Sequence, residues 1–227
     1  MIRRIAAEFL GSALLAALVI GSGIAAQRLS PTDTGLQLLE NAFATALGLP
    51  VIILVFVAVS GAHVNPVVSL VDAALGGRRW RDVAAYVPAQ VAGCIGGAVL
   101  ANTMFGLPAL ALSATERMDP PRFLAEIIAT AGLVLVVFVL ARTGRGAVVP
   151  WAVGAYIGAA YFFTSSSSFA NPAITIGRMF SDTFAGIAPA SAPGFVLAQL
   201  IGGAVGVLAI LWFAPAPTAR GEAVDGS

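Results

Sequence analysis

Long apolar stretches broken by short polar ones organise this chain. Six apolar runs, at 5–26, 38–60, 83–105, 122–141, 147–164 and 192–213, approach or exceed the roughly 20 residues that a helix needs to cross a hydrocarbon core. Glycine recurs inside them, at Gly93, Gly96 and Gly97 and again at Gly202, Gly203 and Gly206. In water these glycines would weaken a helix; in lipid they let helix backbones approach closely. Two further apolar segments, 64–75 and 170–180, are too short to span. Each opens with Asn-Pro after a turn-like stretch, Ser60-Gly61-Ala62-His63 in one case and Thr164-Ser165-Ser166-Ser167-Ser168 in the other. Asn is a good N-cap and Pro suits the first helical position, so short helices are predicted over 66–75 and 172–180.

The two halves of the chain match. Glu8 in the first span answers Glu126 in the fourth, with Ser12 and Thr130 each four residues later. Asn65-Pro66 answers Asn171-Pro172, and Ala89-Gln90-x-x-Gly93 answers Ala198-Gln199-x-x-Gly202. Three features recurring in one order indicate an internal repeat, and an odd number of spans per repeat turns the second copy upside down. The predicted fold is an all-α membrane protein with six transmembrane helices and two re-entrant half-helices. Its divisions are a first repeat over 1–105, an outer connecting loop over 106–121, a second repeat over 122–213, and a disordered cytoplasmic tail over 214–227 that is rich in Pro, Ala, Gly and charge.

Composition supports the membrane reading. Hydrophobic residues make up 59% of the chain and charged residues 10%, where a soluble domain carries about a quarter charged. The net charge of +1 and the lack of a basic stripe give no footing for nucleic acid. One cysteine, Cys94, and one histidine, His63, leave little material for a metal site, and no cofactor is expected. Residues 1–27 end in no clear cleavage site and resemble the later apolar runs, so a retained first span is expected rather than a signal peptide. All basic residues are arginine. With the N-terminus inside, Arg3, Arg4, Arg78, Arg79, Arg81, Arg142, Arg145 and Arg220 fall on the cytoplasmic side, and Arg28, Arg117, Arg122 and Arg178 outside. That bias predicts a multi-pass protein of the cell (inner) membrane with both termini cytoplasmic. Arg78-Arg79-Trp80-Arg81, Trp151 and Trp212 read as interfacial anchors.

Half-helix N-termini meeting at mid-membrane would bring two positive dipole ends and two Asn amides together. A water there accepts from both amides while cations meet an electrostatic barrier, which suits passage of neutral molecules. The duplicated Asn-Pro segments, the starts Ala7-Glu8…Ser12 and Ala125-Glu126…Thr130, and the stretch Gly61-Ala62-His63-Val64-Asn65-Pro66 resemble the aquaporin/aquaglyceroporin (major intrinsic protein) family over nearly the whole chain. The resemblance implies a homotetramer with one pore per subunit and a pore midplane built from Asn65, Pro66, Val67, Asn171, Pro172 and Ala173. Where the family has Asn-Pro-Ala twice, the first copy here has Val67, a bulkier residue expected to narrow or dry the junction. The family's filter arginine is replaced by Ile174. Counting from the motifs puts the other filter positions on Thr45, on Ser168, and on Gly158 or Ala159. Such a filter is small, mildly polar and uncharged, and is expected to admit solutes larger than water. Arg178, one turn beyond Ile174, is either a loop-end arginine in solvent or, because side chains lean toward a helix's N-terminus, a group reaching back into the outer vestibule.

By the same resemblance, Glu8 and Glu126 accept hydrogen bonds from the Asn-Pro loops, Gln90 and Gln199 assist them, and His63 lines the pore. The segment 164–178 is similar to the branch of the family found beside arsenic-resistance functions. The expected function is a passive channel for small uncharged solutes, namely glycerol-like molecules, arsenite and methylated arsenicals, with some water. The alternatives are a water-selective pore and a proton-coupled transporter using the two intramembrane glutamates. No nucleophile–base pair suggests an enzyme.

Overall fold

A computed structural model describes residues 1–214; apart from Ala214, the tail expected over 214–227 lies outside the described residues. The chain forms helices α1 (Ile2–Leu29), α2 (Thr34–Ser60), α3 (Pro66–Ala74), α4 (Trp80–Met104), α5 (Pro120–Arg142), α6 (Val149–Phe163), α7 (Pro172–Arg178) and α8 (Ala192–Phe213), with a 3-10 turn over Gly146–Val148 before α6. No strand occurs among the described residues. Six of these helices are long and apolar enough to cross a membrane. α1, α2, α4 and α5 begin two to four residues before the expected starts, α8 matches its expected span and α6 falls within its own; polar caps open two of the lengthened helices, the Asp33 side chain accepting from the Leu36 amide at the start of α2 and Asp119 from that of Arg122 at the start of α5. Outward-facing Phe43, Val55, Leu124, Leu208 and Trp212 are exposed, as expected of a surface solvated by lipid.

Each repeat is held by one close helix crossing. In the first, Gly93 and Gly97 of α4 lie against the backbone carbonyls of Phe9 and Ala13 on α1, with no room for a Cβ. In the second, Gly202 of α8 meets the Ile127 carbonyl on α5, and Gly206 meets Val134. Gly93 also faces Ser12, and Gly202 faces Thr130. The paired sequence features are therefore two sides of one contact, dispersion-driven and dependent on small residues. Gly154 of α6 likewise admits Pro50 of α2 and joins the two repeats. Against this frame α3 packs on α4 and α8, and α7 packs on the same two helices and on α1.

Candidate functional site: the junction of two half-helices

The two short helices begin as their sequences require. Asn65 is extended and its side-chain oxygen accepts from the Val67 amide at 2.9 Å; Asn171 does the same for Ala173 at 2.9 Å and Ile174 at 3.3 Å. Pro follows each cap, where an amide hydrogen would have no partner. The Asn amides then cross over. Asn65 Nδ2 donates to the Ala170 carbonyl and Asn171 Nδ2 to the Val64 carbonyl, both at 2.8 Å. Each cap thus stitches its half-helix to the loop that leads into the other. One hydrogen on each nitrogen stays free, and both Asn residues border a cavity.

Bent loops carry the chain into these caps. Ala62, Val64, Ser167, Ser168 and Ala170 all adopt left-handed backbone conformations, which cost non-glycine residues energy. Two fully buried carboxylates hold them. Glu8 accepts from Ser60 Oγ at 2.6 Å, the amides of His63 and Val64 at 3.0 and 2.7 Å, and Gln90 Nε2 at 2.7 Å. Glu126 accepts from Ser166 Oγ at 2.6 Å, the amides of Phe169 and Ala170 at 2.9 Å, and Gln199 Nε2 at 2.6 Å. Gln90 and Gln199 go on to bond Ser69 and Thr175 of the half-helices. With all four acceptor positions taken, neither carboxylate faces the cavity as a proton carrier would.

That cavity, about 300 Å³, runs from Asp72 and Gly146 at one mouth, past both Asn residues, to Arg178 at the other. One wall is apolar, carrying Leu49, Ile53, Val137, Phe138, Val153 and Ile157; Gly61 to Val64, Ser168 and the Asn pair border the rest. Thr45, Ser168, Ile174 and His63 border it as well. Two expectations change, and one open alternative is decided. Gly158 packs on Ala46 of α2 and Ala159 is exposed on the outside of α6; at this level of α6 the cavity is bordered instead by Ile157 and Tyr161, because one step along a helix turns a residue by about 100°. Tyr161 Oη lies 3.2 Å from Thr45 Oγ1. Val67 does not narrow the junction. It points away into a cluster with Val71 and Ile210, in space left by Gly203, whose Cβ would stand 2.7 Å from Val67 Cγ1. Finally, Arg178 is buried at 3% exposure, its guanidinium carbon 3.4 Å from the centre of the Phe169 ring and its Nε donating to the Ala185 carbonyl; it is not a solvated loop end.

Several groups at the mouths escape the sequence reading. Asp72 lies 3.1 Å from both His63 Nε2 and Arg78 Nε, and Arg78 also donates to Tyr86 Oη at 3.0 Å, so Arg78 turns inward rather than anchoring at an interface. Arg117, on the loop between α4 and α5, donates to the carbonyls of Gly186 and Phe184 at 2.6 and 2.8 Å and stands 5.6 Å from the Phe169 ring. Burial pulls its guanidinium down to about 10, with the nearby charge of Arg122 adding to the effect, so it stays protonated at neutral pH. Asp72 carried one legible signal: it lies seven residues past Asn65, as Arg178 lies seven past Asn171. Arg117 and Tyr161 carried none.

The description of the major intrinsic proteins matches residues 1–170. The chain belongs to the major intrinsic protein family. The chain is 49% identical to aquaglyceroporin AqpS of Rhizobium meliloti over 92% of its own length and 89% of that protein's. It is 31% identical to the glycerol uptake facilitator protein of Pseudomonas aeruginosa, over 83% and 77% of the two chains. In structure it is similar to the aquaglyceroporin of Plasmodium falciparum, with a TM-score of 0.71 at 23% identity over 93% and 94% of the chains; that likeness bears on the fold. As a major intrinsic protein the chain is a multi-pass membrane channel for small solutes, in a family of channels rather than enzymes.

Proposed function

We propose that this channel passes neutral solutes with an apolar side, such as glycerol, arsenite and methylated arsenicals. The observation that carries the proposal is the two-sided cavity, with aliphatic side chains along one wall and Asn65, Asn171 and Ser168 among the polar groups of the other. A solute with hydroxyls on one edge and carbon or methyl on the opposite edge keeps its hydrogen bonds on the polar side. On the other side it loses water without penalty. Trivalent arsenic acids are neutral polyols near pH 7 and share that shape. Ile174 stands where the family's filter has arginine, and the constriction is built instead from Thr45, Tyr161, Ser168 and Ile174, with Arg178 and Arg117 as fixed charge at the same mouth.

Fixed positive charge at one mouth and two half-helix dipoles at the centre oppose cations. In this reading the Arg178 mouth faces outward, the His63–Asp72 mouth and both termini face the cytoplasm of an inner membrane, and four copies assemble with a pore in each. Stopped-flow light scattering on proteoliposomes tests the function. Glycerol and arsenite flux should be linear in the solute gradient with a low activation barrier; saturable uptake driven by a pH gradient would favour a proton-coupled transporter, and water flux without glycerol flux would favour a water-selective pore.

A further inference from the structure

We infer that the Arg178 mouth is also a binding site for a small planar monovalent oxyanion of the carboxylate or nitrate kind, whose occupancy slows passage of neutral solutes. One buried guanidinium, that of Arg178, borders this mouth, and the half-buried Arg117 stands beside the same Phe169 ring; neither has a carboxylate within ion-pair distance among the described residues. Of the acids on neighbouring loops, Asp182 accepts from the Ala114 amide and Glu116 is exposed. Arg178 spends Nε on the Ala185 carbonyl and one face on Phe169. Its terminal nitrogens, on a residue that borders the cavity, have no protein acceptor among the described residues. Buried charge is costly unless paired or fully hydrogen-bonded.

A second observation points to the same place. Ser168 is buried at 3% exposure, borders the same cavity, and its Oγ has no hydrogen-bond partner. The unfilled guanidinium edge of Arg178 and an unpartnered, enclosed hydroxyl in the lining of the same cavity leave donors there without an acceptor. The fork of a guanidinium matches a planar oxyanion with two parallel bonds, and such an anion would offset charge that a neutral polyol leaves in place. The opposite mouth makes the contrast: Asp72 there already has His63 and Arg78 as partners. Because Ile174 and Ser168 border the passage at this end, a bound anion would stand in the way of a solute. This inference rests on the proposed channel only for its flux consequence; binding is read separately.

Nitrate is the probe, since it stays ionised at every working pH. Titration calorimetry of the purified protein should show saturable nitrate binding, weakened about tenfold or more in Arg178→Gln by loss of charge-assisted bonds and less in Ser168→Ala. In proteoliposomes, nitrate on both sides should slow glycerol flux relative to bulky morpholinoethanesulfonate at equal ionic strength, and Arg178→Gln should remove that sensitivity whatever its basal flux. Should Arg178→Gln not fold, Arg178→Lys, which keeps the charge but not the fork, should still weaken nitrate binding. A wild-type protein that conducts glycerol but shows neither saturable nitrate binding nor slowing would overturn the site and leave the channel proposal standing. Nitrate binding lost on substitution of Arg178, in a protein that conducts no glycerol, would support the site and sink the channel.

Discussion

The two repeats build the same scaffold and put opposite chemistry on it. Around each asparagine stand a Glu-held loop, a Gln bonded to a half-helix hydroxyl, and an amide crossing to the other loop. Yet two residues before the asparagine the first repeat has His63 and the second Phe169, and seven after it the first has Asp72 and the second Arg178. Tyr86 stacks edge-on against His63 as Phe195 does against Phe169. Groups that close the backbone's hydrogen bonds inside the membrane have no alternative partners, so both repeats spend the same residues on them. Positions at the mouths answer only to solute and field, and there the repeats part.

The largest effect should follow from breaking what the repeats share. Removing either carboxylate, as Glu8→Ala or Glu126→Ala, strands four buried donors and should cost about 3–5 kcal/mol, as breaking buried charged partners does. Yield of monodisperse protein and thermal unfolding in detergent would read it, and a severe loss for one glutamate with a mild loss for the other would break the equivalence. Next comes the place where the repeats exchange bulk. Gly203→Val should destabilise by about 1–3 kcal/mol through overpacking on Val67, while the pair Val67→Ala with Gly203→Ala recovers most of it by the same unfolding assay; no recovery would mean that the two do not share a space. At the second mouth, Ile174→Arg should cut glycerol flux by about tenfold, an added barrier of ~1.4 kcal/mol, while sparing water in stopped-flow scattering; unchanged glycerol flux would remove Ile174 from the constriction. The smallest effect should come from charge alone. Arg178→Gln should raise cation leak across proteoliposomes, read with a potential-sensitive dye, and Asp72→Asn should not, because His63 and Arg78 already offset that carboxylate.

The frame was legible because membrane depth leaves few solutions. A short helix after Asn-Pro, an acid eight residues into the chain matched by Glu126, and glycines at matching places in α4 and α8 each have one physical use in lipid, and each lies where its pattern put it. Direction was harder to read. Val67 looked like an obstruction until Gly203, 136 residues later in the chain, took up its side chain. Counting from the motifs points to Gly158 or Ala159, but the turn of α6 puts Ile157 and Tyr161 at the cavity instead. Arg117 reaches the Phe169 ring from a connecting loop that shows no periodicity. Long-range packing decided these positions.

The central claim is that both half-helices face one passage. In a Cys94→Ser background, single cysteines at Val68 and Ile174, which border the cavity from α3 and α7, and at Val67, which packs on Gly203, can be treated with neutral benzyl methanethiosulfonate while glycerol flux is followed. Modification at Val68→Cys and at Ile174→Cys should each abolish most of the flux, and Val67→Cys should leave it intact. Block from only one half-helix, or equal block from Val67→Cys, would contradict a single passage shared by the two.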